Sequence, residues 1–177
     1  VIHDWYFVKN AYSKEICEEI LTIAKENPSK NYFDRYGNSN KNVNVNTVEL
    51  NVFGDKLNYF FNLITQINEE VFGFNLFPYN PRTLNFNYYN AQQEYPFHKD
   101  SNVGMSDIKL TAILNLSLNS FDGGEFEVFT GGVTRIEEID KLGSLLVFPS
   151  FLYHRVKPVL SGERVTMSCW FSGPNWK

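Results

Sequence analysis

Histidine, cysteine and methionine are all scarce in this chain, at three, two and two of 177 residues. The two cysteines, Cys17 and Cys169, have no framework spacing, so they provide no disulfide scaffold and suit a reducing compartment. No apolar run approaches the roughly 20 residues that span a bilayer, which excludes a membrane helix from the expected elements. Neither sign of charge dominates: a net charge of -4 argues against a broad electrostatic footprint for nucleic acid or an anionic membrane. No internal repeat, low-complexity tail or linker is visible, and no secretory leader is recognised ahead of the first predicted helix. The expectation is a single soluble, cytoplasmic domain over residues 1–177. The sequence carries no sign of its oligomeric state.

Aromatic residues are plentiful instead, with 16 Phe and 10 Tyr, and they predict an aromatic-lined core or pocket. The first 80 or so residues read as helical support. In "SKEICEEILTIAKENP" Ser13 is an N-cap, Ile16, Ile20, Leu21 and Ala24 form an apolar stripe, and Pro28 stops the helix. A second helix is predicted over 55–72 from Leu57, Phe60, Phe61, Ile64, Ile67 and Val71. Between them, Asn-rich residues 29–47 read as a loop, and Tyr32, Phe33 and Tyr36 within it suggest a flap. From about residue 82 to 172 short β-branched and aromatic runs follow one another, bounded by Gly, Pro, Asn or Asp. Helices followed by many short strands predict an α+β protein with a sandwich or jelly-roll body.

The chemistry concentrates around "YPFHKD". In a strand, residues two apart share a face, so His98 and Asp100 would present an imidazole and a carboxylate side by side. A non-haem Fe(II) centre needs two His and one carboxylate on one face of an octahedron. His154, in "PSFLYHRVKPV", is the candidate for the distant ligand, while His3 reads as packing or surface. The H-x-D pair alone is common by chance, and zinc accepts the same ligand types. Ten residues after His154 comes Arg164, which shares a strand face with Thr166, Ser168 and Trp170 in "RVTMSCWFS". Most single arginines lie on the surface; one pointing into a barrel needs an anion, and a guanidinium fork fits a carboxylate.

With these residues in view, the sequence resembles the 2-oxoglutarate and Fe(II)-dependent dioxygenases, in particular the prolyl 4-hydroxylase-like branch with its bacterial and viral members. The motifs that carry the resemblance are "NYYNAQQEYPFHKD", "LTAILNLSLNSFDGGEFEVF" and "GSLLVFPSFLYHRVKPVLSGERVTMSCWF", spanning Thr83 to Phe171. It implies a double-stranded β-helix, a jelly-roll or cupin-like barrel buttressed by the N-terminal helices. It also implies that His98, Asp100 and His154 ligate iron and that Arg164 binds the distal carboxylate of 2-oxoglutarate. Tyr89, nine residues before His98, and Ser168 match residues near that cosubstrate, Tyr95 a loop-shaping tyrosine, and Trp170 a ring further along its strand. Asn115 falls where many relatives carry a cosubstrate-contacting tyrosine, so a wider or wetter pocket is expected there.

The implied reaction consumes O2 and 2-oxoglutarate, releases succinate and CO2, and hydroxylates an aliphatic C–H, with ascorbate as a possible reductant. Asp100 favours hydroxylation, since halogenases of the superfamily lack that carboxylate. A prolyl residue of a peptide or protein is the first choice of substrate, by analogy with the branch, and a small molecule stays open. Flaps over it would come from residues 29–47 and from "SNVGMSDI". A nucleic-acid oxygenase is the less favoured alternative, resting on "KNYFDRYGNSNK"; a non-catalytic jelly-roll metal binder is another. Gly123 and Gly124 read as a tight turn, Glu125 and Glu127 as solvated strand residues, and the "NLS" sequon at Asn115 as core rather than a glycosylation site.

Overall fold

A computed structural model describes residues 4–28, 42–101 and 107–175. His3, the aromatics Tyr32, Phe33 and Tyr36, and most of the segment "SNVGMSDI" lie outside these residues, so the flaps expected there lie outside them too.

After a short strand β1 (Tyr6–Val8), the Ser13 hydroxyl accepts a hydrogen bond from the Ile16 amide and opens helix α1 (Lys14–Glu26). The buried stripe is Cys17, Ile20, Leu21 and Ala24, spaced i, i+3, i+4, i+7; Ile16, expected in that stripe, is 39% exposed and Cys17 takes its place. The loop predicted through residue 47 ends early, because Asn44–Glu49 forms strand β2. Its Asn content hides an alternation in "VNVNTV", and the Asn46 amide donates to the Ala24 carbonyl at the end of α1.

The helix expected over 55–72 is three pieces. A 3-10 stretch, Leu50–Leu57, is broken by Gly54 at φ 51°; helix α2 covers Asn58–Ile67; and a wider turn covers Asn68–Phe72. The Asn68 side chain both donates to the Phe74 carbonyl and accepts from its amide, while Gly73 closes the turn at φ 67°. The predicted apolar positions Leu57, Phe60, Phe61, Ile64 and Ile67 are all buried, so the stripe survives the breaks.

The remaining strands are β3 (Thr83–Tyr89), β4 (Tyr95–His98), β5 (Ile108–Asn115), β6 (Asp122–Gly123), β7 (Phe126–Phe129), β8 (Val133–Arg135), β9 (Leu145–Pro149), β10 (Tyr153–Val156), β11 (Val159–Ser161) and β12 (Arg164–Ser172). One antiparallel sheet has the order β1-β9-β5-β12-β3-β2 and a second the order β4-β10-β7-β8. The outer face of the large sheet presents Leu84, Phe86, Leu110, Leu114, Val165, Met167 and Phe171 to α1 and α2. Its inner face meets the small sheet through Tyr89, Ile113, Leu146 and Phe148 against Phe126, Val128, Leu152 and Val156. These facing sheets with helices behind one of them are the double-stranded β-helix of an α+β protein, as expected from the sequence.

Phe86 is fully buried and stacks on Phe53, with centroids 5.8 Å apart, so it locks β3 to the helical layer. Phe86→Ala is expected to cost about 3–5 kcal/mol in urea unfolding; a loss below about 1 kcal/mol would show that this layer does not hold β3 in place.

Candidate active site

Alternation along β3 and β12 sorts their side chains into two environments. Leu84 and Phe86 go out to the helices, whereas Asn85, Asn87 and Tyr89 go in; Val165, Met167 and Cys169 go out, whereas Arg164, Thr166, Ser168 and Trp170 go in. The inward set, with Tyr95, His98, Asp100, Thr111, Ile113, Phe126, His154 and Val156, lines a small cavity of about 50 Å³ between the sheets. Its wall is unusually rich in polar groups for the inside of a barrel.

Strands β4 and β10 are antiparallel neighbours with His98 opposite His154, which closes the 56-residue gap between them. The ring centroids are 4.2 Å apart. Asp100 does not lie on a strand as the sequence pattern predicts, because β4 ends at His98. It reaches the same place from a bend, where the Asp100 and Ser101 amides both donate to the Ser150 carbonyl at 2.9 and 3.0 Å. Asp100 Oδ1 is 3.4 Å from His98 Nε2, and Oδ2 is 3.7 Å from His154 Nε2. One ligand atom from each of the three residues lies within 4.8 Å of the others, a group able to hold one metal ion.

The protonation pattern suits ligation. His98 Nδ1 faces the Pro96 carbonyl at 2.9 Å and His154 Nδ1 faces the Leu152 carbonyl at 2.8 Å. A ring nitrogen facing a carbonyl carries the proton, so each Nε2 turns a lone pair toward the cluster. Burial holds His154 below its ordinary pKa; Asp100 opposes this, and His98 adds to it. Burial alone would raise the Asp100 carboxyl, but His154, His98 and the Thr111 hydroxyl outweigh it and hold it well below the usual carboxylate range. Tyr95 stacks on the His98 ring at 3.8 Å, and Phe148 and Phe126 flank His154 at 4.8 and 5.5 Å.

Arg164 is 1% exposed, and its Nε and Nη2 have no hydrogen-bond partner among the described residues. Its guanidinium lies 5.5 Å from the Tyr89 ring centroid, opposite it in register. Burial presses the guanidinium below its usual pKa, against Tyr89 and Asp140, yet an arginine stays charged. A buried cation with two orphaned N–H groups facing a cavity fits an anionic ligand. Burial pushes the Tyr89 phenol up to about 12, so it stays protonated. Gly124, expected to have only a turn role, also clears space for the arginine, since a Cβ there would meet Arg164 Cδ at 3.0 Å.

The other expected cosubstrate residues divide. Ser168 lines the cavity and accepts from the Asn87 amide at 3.0 Å, and Trp170 lines it with Nε1 unpartnered among the described residues. Asn115 is a correction: it is absent from the cavity lining, its amide donates to the Ile139 carbonyl, and its Oδ1 accepts from the Ser117 amide, both at 2.7 Å. The shorter side chain closes its own loop instead of reaching a ligand. Glu125 and Glu127, expected to be solvated, are instead half-buried and pair with Lys157 and Arg155; Cys169 faces away from the cavity, as expected. Sequence reasoning missed Thr111, Asn85 and Asn87. For Asn85 and Asn87 the signal was present in "TLNFNYY", where every second residue after Thr83 is polar or phenolic.

The folded pKa of His154 lies below the unfolded value of 6.5, so the unfolded chain binds the proton first as pH falls. Stability of the metal-free protein is therefore expected to decline as pH drops below about 6.5. Urea unfolding at about pH 7.5 and about pH 5.5 checks this; equal stabilities would contradict a neutral, buried His154.

Comparison with known proteins points the same way. A PKHD-type hydroxylase of Hyphomonas neptunium is 39% identical over 83 residues, covering 43% of this chain and 36% of that protein. The match thus takes in less than half of the relative's length. A Pseudomonas putida prolyl-4-hydroxylase superposes with a TM-score of 0.72 at 19% identity, covering 98% of this chain and 94% of the other. A prolyl hydroxylase from Trichoplax adhaerens, solved with a hypoxia inducible factor peptide fragment, gives 0.75 at 16% identity, covering 96% and 83%. At these identities the structures speak for the fold. The family model described as the 2OG-Fe(II) oxygenase superfamily matches residues 84–172, half of the chain and the half that builds the cavity. By that match the chain belongs to the 2OG-Fe(II) oxygenase superfamily.

Proposed function

We propose that this protein is a 2-oxoglutarate- and Fe(II)-dependent dioxygenase that hydroxylates an aliphatic C–H, that of a prolyl residue in a peptide or protein. The observation that carries the reading is a pairing within one cavity: a His-Asp-His group able to hold a metal, and a buried arginine with unanswered donors. His98, Asp100 and His154 would hold Fe(II), and Arg164 would hold the distal carboxylate of 2-oxoglutarate. The donor set fits the metal, since two neutral imidazoles and one carboxylate leave half of an octahedron open. When bound, the iron and 2-oxoglutarate supply the oxidation, in which O2 gives one atom to succinate and one to the substrate C–H with loss of CO2.

The chain's own residues supply orientation and exclusion. The Arg164 fork fixes one end of an anion, so that its other end is presented to the triad in a single pose. Tyr89 supports the guanidinium by its ring, and the Asn87–Ser168 hydrogen bond fixes the wall between them. Phe126, Phe148 and Ile113 keep the surroundings of His154 apolar and limit water. Ascorbate would serve as a reductant, and a cytoplasmic site of action accords with the two free cysteines. Among the described residues no helix is long and apolar enough to cross a membrane.

Support for a peptide comes from a groove lined by Lys99, Phe151, Leu152 and Tyr153, which neighbour triad residues in the chain, and by Phe129 of β7, opposite Tyr153 of β10. Phe129, Phe151 and Tyr153 are 48%, 47% and 41% exposed, an apolar rim of the kind that grips extended chains. The prolyl hydroxylase names of two structural neighbours, one of them solved with a peptide, favour the same substrate class.

Anaerobic addition of Fe(II) and then 2-oxoglutarate is expected to produce a visible charge-transfer band. His154→Ala should abolish it, and Arg164→Ala should weaken 2-oxoglutarate binding by about 100-fold, the scale of lost charge-assisted hydrogen bonds. Unchanged 2-oxoglutarate affinity in Arg164→Ala would contradict the role given to that residue. In a proline-containing peptide library scored for a gain of one oxygen, Phe129→Ala is expected to raise KM about 10-fold with kcat retained. An unchanged KM would remove the groove from the substrate path.

A further inference from the structure

Asp100 stands where the strand ladder no longer holds it, since β4 stops at His98, two residues earlier. Its backbone is fixed instead through Ser150, whose carbonyl accepts from the Asp100 and Ser101 amides. Ser150 is itself tied to β5 by its hydroxyl, which donates to the Ile108 carbonyl at 2.6 Å, and by its amide, which donates to the Lys109 carbonyl. The side chain is held from the same strand. Thr111, 1% exposed, donates its hydroxyl to Asp100 Oδ2 at 2.6 Å. A carboxylate rotates freely about its terminal bond unless something holds it, and the hydrogen bond from this hydroxyl does so.

We propose that Thr111 is a positioning residue that makes Asp100 a one-oxygen ligand, an inference that rests on the metal-binding reading of the triad. By occupying Oδ2 the hydroxyl leaves Oδ1, the oxygen nearer to His98 Nε2, as the free donor. The consequence is a matter of coordination count. A carboxylate binding through one oxygen leaves three positions of an octahedron open, enough for a two-point chelate and O2. A carboxylate turned to bind through both oxygens would take one of those positions. Thr111 therefore sets how much of the metal stays available, without itself touching the metal or a substrate.

Two substitutions separate the hydroxyl from the shape of the residue: Thr111→Val keeps the volume and drops the hydroxyl, and Thr111→Ser keeps the hydroxyl. Chelator-stripped protein is titrated with Mn(II) while water-proton relaxation is followed, which needs no turnover. Thr111→Val is expected to bind Mn(II) about 10–100-fold more weakly than wild type, and to show one fewer exchangeable water on the bound ion. Thr111→Ser is expected to restore both. Thermal melting of the metal-free forms checks that Thr111→Val remains folded; if it does not, loss of affinity and hydration in Thr111→Ala, which removes the hydroxyl without adding bulk, serves as the second comparison. Wild-type affinity and hydration in Thr111→Val, or equal loss in Val and Ser variants, would overturn the proposal while leaving the triad intact. Absence of Mn(II) binding to wild type, unchanged by His154→Ala, would overturn the metal reading itself.

Discussion

Placing Arg164 inside the barrel removes a full positive charge from water and leaves two of its N–H groups without a protein partner among the described residues. Such a group costs free energy in the empty fold, because burial of an unsatisfied charged donor is among the more expensive things a domain can do. The surrounding structure is arranged so that the cost is borne. Tyr89 lies against the guanidinium, Gly124 opens room beside its stem, and Val165, the next residue, is clamped by the Ser117 hydroxyl. An anion entering the cavity finds donors already desolvated and fixed, so it need not order them.

The same logic extends along the inner face. Two adjacent strands carry polar side chains inward and apolar ones outward, the reverse of an ordinary half-exposed sheet. That reversal is possible because α1 and α2 cover the outer face and supply the apolar core there. Stability and chemistry are thus divided between the two faces of one sheet. The helices need no contact with ligand to matter, since without them the outward Leu84, Phe86 and Met167 would face water and the inward register would lose its reason.

Much of this was legible in the sequence. The inward row Arg164, Thr166, Ser168 and Trp170 followed from period-2 alternation, and burial of the outward row confirmed it. Asp100 was placed beside His98 for an incorrect reason: the strand ends first, and a bend anchored by Ser150 does the work. Tertiary contacts of that sort leave no local trace. Thr111 was invisible for the same cause, since a threonine in a β-rich run reads as strand propensity until its partner is seen. Asn115 was misjudged because family position says nothing about which neighbour an amide will satisfy, and here the Ile139 carbonyl and Ser117 amide claim it. The break at Gly54 and the strand β2 were obscured by helical spacing on one side and Asn content on the other.

The central claim is that one metal ion and one dicarboxylate share this cavity, held at opposite ends by different residues. An anaerobically grown crystal containing Mn(II) and 2-oxoglutarate tests it most directly. The account predicts a single ion bonded to His98, Asp100 and His154, with the far carboxylate of the ligand on the Nε and Nη2 groups of Arg164. An ion at other residues, or a ligand that leaves Arg164 unpaired, would contradict it.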